Sequence, residues 1–139
     1  KFGTLTGSEA GLTNAVNNAL ADAGMTIDDI DAVFGFANGM KAVDDVEIKG
    51  LTAVFGDKLA EKPVVELKEV LGESRAAAAT TAAAHAALMF AGKIPSQDAY
   101  SIAADGSVSK TKAEASKLNN VLVAAYGAGG SYTAIVLSR

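Results

Sequence analysis

The 139-residue chain contains no cysteine, which excludes disulfides, thiolate metal sites and a cysteine nucleophile within it. It has a single histidine, His85, too few for a histidine-based metal site. Aromatic residues are only 6% of the chain, while half of it is apolar and 14 residues are glycine. Side chains this small let helices and strands approach closely, so thin, tightly layered packing is expected. No cluster of lysine and arginine exceeds two adjacent positions and the net charge is −4, so the electrostatic footprint of a nucleic-acid binder is missing. A run of about 18 strongly apolar residues, the minimum for a membrane span, is also missing. The stretch Ala76–Ala91 comes nearest, and its Ala, Thr and His content predicts a buried helix. The chain starts at Lys1 with neither an initiator methionine nor a signal-peptide pattern, and it reads as a piece of a longer polypeptide.

Enough residues remain for one domain with a genuine core, here taken as 1–139. Ser8 can cap a helix in which Leu12, Val16, Leu20 and Ala23 recur at helical spacing, with Gly24 as its stop. Thr26-Ile27-Asp28-Asp29 reads as a capped turn and Ile30–Phe36 as a strand. A second helix is predicted from near Val43 to Gly56, with Val46, Leu51, Val54 and Phe55 on its apolar face. Pro63 opens a strand, Val64–Leu67, and a third helix, about Ser74–Ala91, is apolar on every side and so belongs inside the protein. Tyr100–Ala103 is a short strand candidate, and Asp105–Lys117, rich in Ser and Lys, reads as a surface excursion. Val121–Tyr126 and Tyr132–Leu137 form a hairpin around Gly127-Ala128-Gly129-Gly130. Alternating helices and strands that end in a hairpin predict an α/β layered fold with a mixed sheet.

Taken residue by residue, the chemistry is thin. The backbone N–H groups of Gly127–Gly130 could cradle an anion, but the loop precedes a strand and not a helix, which favours plain turn geometry. Asp44, Asp45 and Glu47 could be acid/base carboxylates; their place at a helix start favours dipole complementarity. His85, among alanines, reads as a core residue in preference to a catalyst. Lys68 with Gly72-Glu73, in a loop after a strand, is either functional or simply solvated.

Three segments together resemble the β-ketoacyl synthase family of the thiolase superfamily, over nearly the whole chain. The first runs from Ala19-Leu-Ala-Asp-Ala-Gly24 through Ile30-Asp-Ala-Val33 to Asp44-Asp-Val-Glu47, Leu51 and Val54-Phe-Gly56. The family carries a histidine here in a His-Gly-Thr-Ser-Thr loop; this chain reads Phe36-Ala-Asn-Gly-Met-Lys41, and an ungapped count back from Glu47 puts Phe36 at the histidine position. The second is Pro63-Val-Val-Glu-Leu-Lys68 with Gly72, where Glu73 stands in place of the family's second histidine; the Ala-rich helix and Gly92-Lys-Ile-Pro95 follow. The third, Tyr126-Gly127-Ala128-Gly129-Gly130, is similar to the family's Phe-Gly-Phe-Gly-Gly gating loop. Val33-Phe34, Ala37, Gly39, Asp44 and Glu47 also fall at the spacings of chain-length factor (ketosynthase β) subunits of type II polyketide synthases, which are similar in lacking the catalytic residues.

The resemblance implies the C-terminal half of a thiolase-like fold, with a mixed sheet and a buried Ala-rich helix. The family's reaction takes an acyl chain from a carrier protein onto a cysteine, and two histidines then help decarboxylate the extender and stabilise the enolate oxygen. The nucleophile position lies in the N-terminal half, outside this sequence. Neither Phe36 nor Ala37 offers a side-chain donor, and an ionised Glu73 would repel an oxyanion; one lost donor costs on the order of 10²–10³ in rate. The expectation is therefore no catalytic residues here, with Lys68 the remaining family lysine, and a chain inactive by itself within an acyltransferase assembly. Expected partners are an active ketosynthase subunit, the N-terminal half and an acyl carrier protein, whose phosphopantetheine is the substrate arm. No cofactor or metal bound by this chain, no nucleic acid, no membrane and a cytoplasmic setting are expected. The alternatives are a divergent β-ketoacyl synthase, a divergent acyltransferase or decarboxylase using Lys68 and Glu73 as a catalytic pair, and an acyl-binding interaction module without catalysis.

Overall fold

A computed structural model of the chain describes residues 7–36, 40–65, 84, 87, 91, 98–102, 108–112, 118–127 and 130–139. Helix α1 spans Glu9–Ala23, and both of its ends are written in the sequence. The Ser8 side chain accepts the Gly11 N–H, and Gly24 closes the helix in a left-handed conformation, φ 65°. There the Gly24 N–H bonds Ala21 O at 3.1 Å and the Met25 N–H bonds Leu20 O at 2.9 Å, the paired bonds of a Schellman motif. A 3₁₀ turn, Ile27–Asp29, follows, with Thr26 and Asp29 capping each other.

Strand β1, Ala32–Phe34, is buried along its whole length and is shorter than the predicted Ile30–Phe36. It stops because the Phe36 N–H leaves the ladder for the Glu47 carboxylate. Helix α2 runs Lys41–Phe55, starting two residues earlier than Val43. Its N-cap, Met40, makes no side-chain cap bond, so no residue type announced the start. Leu51 and Phe55 are buried as predicted, whereas Val46 and Val54 are only partly so. A 3₁₀ segment, Gly56–Glu61, leads to β2, Val64–Val65.

Strands β3 (Asp98–Ile102), β4 (Val108–Lys112), β5 (Asn120–Gly127) and β6 (Ser131–Ser138) complete a sheet of order β4-β3-β2-β1-β5-β6. Strand β4 corrects the reading of Asp105–Lys117 as a surface excursion: Val108–Lys112 pairs antiparallel with β3, Tyr100 opposite Lys110. At the outer position of this sheet, strands commonly carry lysine to discourage edge pairing, so Val-Ser-Lys-Thr-Lys looks like solvated loop. The sheet is mixed. Strand β1 is parallel to β2 and β5, and the pairs β2/β3, β3/β4 and β5/β6 are antiparallel.

On one face Leu12, Val16 and Leu20 of α1 and Leu51 and Phe55 of α2 pack on Val33, Val64, Leu122 and Ala124. The other face gathers Ala32, Phe34, Val65, Val121, Val123 and Leu118. The predicted helix Ser74–Ala91 lies mostly outside the described residues; Ala84 and Ala87 are helical, and the Ala91 N–H bonds Ala87 O at 3.0 Å. Lys68, Glu73, His85, Ala128 and Gly129 also lie outside them. Among the described residues, no helix is long and apolar enough to cross a membrane.

Helices α1 and α2 touch through Gly50, where an added Cβ would sit 2.9 Å from Leu12 Cδ2. Gly→Ala inside a helix ordinarily stabilises by about 1 kcal/mol. Gly50→Ala should instead destabilise by about 1–3 kcal/mol through overpacking, read from chemical denaturation. At the 3₁₀ turn, the Thr26 N–H and hydroxyl donate to Asp29 Oδ2 at 2.8 and 2.9 Å. These bonds, the backbone one foremost, hold the Asp29 carboxyl below its ordinary 3.8. A lowered folded-state value means that the stabilisation is present above the unfolded carboxylate value and lost as pH falls through the folded one. Thr26→Val should raise the Asp29 titration midpoint measured by NMR, and its stability deficit should shrink in acid.

Candidate functional site

Because β1, β2 and β5 run parallel, their C-terminal ends share one edge of the sheet. In open α/β sheets that edge is where ligands bind. Phe36 lies two residues beyond β1 and Tyr126 near the end of β5, with Phe34 level with Val123 in the register. The two aromatic positions singled out in separate parts of the sequence thereby meet. Their rings are 5.6 Å apart and nearly perpendicular, at 82°, the edge-to-face arrangement aromatic pairs favour.

Beside them lies a small pocket whose enclosed space is about 10 Å³, room for about one water molecule, lined by Leu12, Phe36, Val43, Glu47, Tyr126 and Tyr132 among others. Its walls are mostly apolar, and the charged residue among them, Glu47, is only 7% exposed. A buried carboxylate must be met by donors, and the Phe36 N–H is one. Gly35 eases this approach, since a Cβ there would stand 3.3 Å from both carboxylate oxygens, tighter than usual contact. The assignment of Asp44, Asp45 and Glu47 to a helix start is thus right only for part of the trio. Asp44 lies in the first turn and Asp45 pairs with Lys41 on the surface, but Glu47 points into the site. The signal was present: Val43, Glu47, Leu51 and Phe55 recur every fourth residue, the buried stripe of α2.

Tyr132 was read only as a strand residue. It faces Tyr126 directly across the hairpin, with ring centroids 5.1 Å apart, and its hydroxyl accepts the Ser8 N–H at the start of α1. Burial pushes its phenol above the ordinary value; the Ser8 bond opposes the rise, and Tyr126 and Glu47 add to it. In the glycine loop the Gly130 N–H bonds Gly127 O at 3.1 Å and Gly130 has φ 88°, which is turn geometry. Lys68, Glu73, Ala128 and Gly129, also picked from the sequence, lie outside the described residues.

Residues 2–100 match the model described as beta-ketoacyl synthase, C-terminal domain. The chain belongs to this family. This β-ketoacyl synthase C-terminal domain has the α/β thiolase-like fold with a mixed sheet. It is 31% identical over 134 residues to a Streptomyces halstedii protein named polyketide beta-ketoacyl synthase 2, and 33% identical over the same length to a Streptomyces coelicolor protein of that name. Each alignment covers 95% of this chain and 32% of the relative, so the chain spans about a third of the length of those proteins.

The buried carboxylate yields a direct test. Glu47→Ala removes the acceptor of the Phe36 N–H and should cost about 1–3 kcal/mol, with faster amide exchange at Phe36. Glu47→Gln keeps an oxygen acceptor, and exchange at Phe36 should stay close to the parent rate.

Proposed function

We propose that the protein carrying this domain is a ketosynthase-like subunit of the chain-length factor type, which supports carrier-protein-dependent Claisen condensation without performing it. The observation that carries this reading is the Phe36–Tyr126 contact. Where the family resemblance puts a histidine, the side chain is a hydrocarbon ring packed against a second ring. Its backbone N–H is engaged by Glu47. Catalysis of enolate formation depends on donors aimed at the oxygen where charge develops, and here neither the side chain nor the N–H of Phe36 is aimed that way.

The pocket itself holds little more than a water, so the aromatic rings at this edge suit contact with an acyl chain passing over them, where their bulk limits what fits. In this role Phe36 and Tyr126 act by bulk. The chain would arrive on the phosphopantetheine arm of an acyl carrier protein, and condensation would occur on an active ketosynthase subunit paired with this one. The relatives named polyketide beta-ketoacyl synthase 2 support a polyketide setting. Lys68 and Glu73 keep their assignments in this proposal, as family lysine and replaced second histidine.

The test is reconstitution. The purified protein alone should not elongate acyl-carrier substrate, and adding an active ketosynthase subunit should give product. Phe36→Ala and Tyr126→Ala should then change the distribution of product lengths more than total turnover. Elongation by the protein unaided would overturn the proposal.

A further inference from the structure

Tyr132 occupies a notch prepared for it. Its ring lies against Gly11 of α1, where an added Cβ would come within 2.7 Å of Tyr132 Cδ2, and its hydroxyl lies against Gly7, where a Cβ would collide with it. The hydroxyl accepts the Ser8 N–H, the residue that caps α1. The ring's other neighbour is Tyr126, which in turn meets Phe36. The three rings therefore form a file from the end of β1 to the start of α1, and the turn at Gly127–Gly130 joins its two tyrosines. The file is anchored beyond the turn as well, at Ser8, the N-cap of α1, 124 positions away in sequence.

We infer that Tyr132 is a positioning residue that ties the glycine hairpin to the amino-terminal end of α1 and so holds the Tyr126 ring in the pocket wall. An aromatic ring held on one side only by Phe36 could turn about χ1 between staggered wells. Tyr132, itself fixed by the notch and the Ser8 bond, fills the second side. The selective consequence, that Tyr132 influences product length through Tyr126, rests on the function proposed above; the mechanical one does not.

The experiment is made on the full protein with ¹³C-labelled tyrosine. In the parent protein, cross-relaxation between the Tyr126 and Phe36 rings should be visible. Tyr132→Leu should abolish it. Gly11→Ala, which leaves Tyr132 in place but fills its notch, should weaken it in the same direction and should lower stability although Gly→Ala favours a helix. Tyr132→Phe should keep the ring contact and quicken exchange of the Ser8 amide. Leu59→Ala, a core cavity away from the pocket, is the control for general destabilisation and should leave the Tyr126–Phe36 signal unchanged. The inference is overturned if Tyr132→Leu or Gly11→Ala keeps that signal intact, or if Leu59→Ala weakens it equally. Reconstituted product lengths separate the two claims. If Tyr126→Ala alters lengths and Tyr132→Leu does not, the positioning role fails and the proposed function stands. If Tyr126→Ala leaves lengths unchanged, the acyl reading fails, and the ring signal still decides the role of Tyr132.

Discussion

A carboxylate buried beneath the end of a central strand constrains everything around it. Glu47 sits on the inward stripe of α2, and burying it requires donors that the apolar neighbours cannot give. The backbone beyond β1 supplies one, at Phe36, and to do so it must abandon the sheet. A small residue at Gly35 suits that turn, since a Cβ there would stand 3.3 Å from both carboxylate oxygens, and the bond ties α2 to the end of the strand. Gly50 lies close to Leu12 and so joins α2 to α1, and α1 with the residues just before it presents Gly11 and Gly7, against which Tyr132 lies. Tyr132 meets Tyr126 and Tyr126 meets Phe36, so the contacts return to the residue where they began. A closed circuit of this kind has no loose member. Each side chain's freedom is limited from two directions.

How much of this could be read from the sequence depends on whether a feature is local. Both ends of α1 were legible because capping is decided within four residues: a serine hydroxyl for a free N–H, a glycine for a left-handed turn. The hairpin was legible for the same reason. The start of α2 was not, because Met40 caps nothing with its side chain. Strand β4 was hidden by its own position, since an outer strand is polar by design and resembles a loop. Glu47 was misread because carboxylates near a helix start usually serve the dipole, and only its four-residue spacing from Val43 and Leu51 distinguished it from Asp44 and Asp45. Tyr132 gave no local sign at all. Its partners are the start of α1 and the strand opposite, and neither is near it in sequence except across the turn.

Under the proposed function, the family's architecture is kept while the chemistry offered by one position changes. Parallel strands bring the ends of β1, β2 and β5 to one edge whatever side chains those ends carry. The resemblance assigns that edge to histidines and a gating aromatic. At the described positions this chain presents a hydrocarbon ring, a phenol against it and a carboxylate whose oxygen is turned to the backbone. Such a wall suits recognition of shape better than stabilisation of negative charge, and the proposed function rests on that difference.

The central strand also has a bearing on how the molecule comes to be folded. Strand β1 has three residues, and its longest partnership is with β5, where Ala32 lies beside Val121. The Asp31 carboxylate reinforces the same seam by accepting the Asn119 and Asn120 N–H groups at 2.6 and 3.0 Å. Contacts between residues so far apart in sequence close a large loop, with an entropic cost that precedes their reward. On a ribosome, the helices could pair while β1 still had one side unoccupied, and that side would wait until β5 had been made. The middle of the sheet, first in burial, would then be among the last parts of the molecule to be completed.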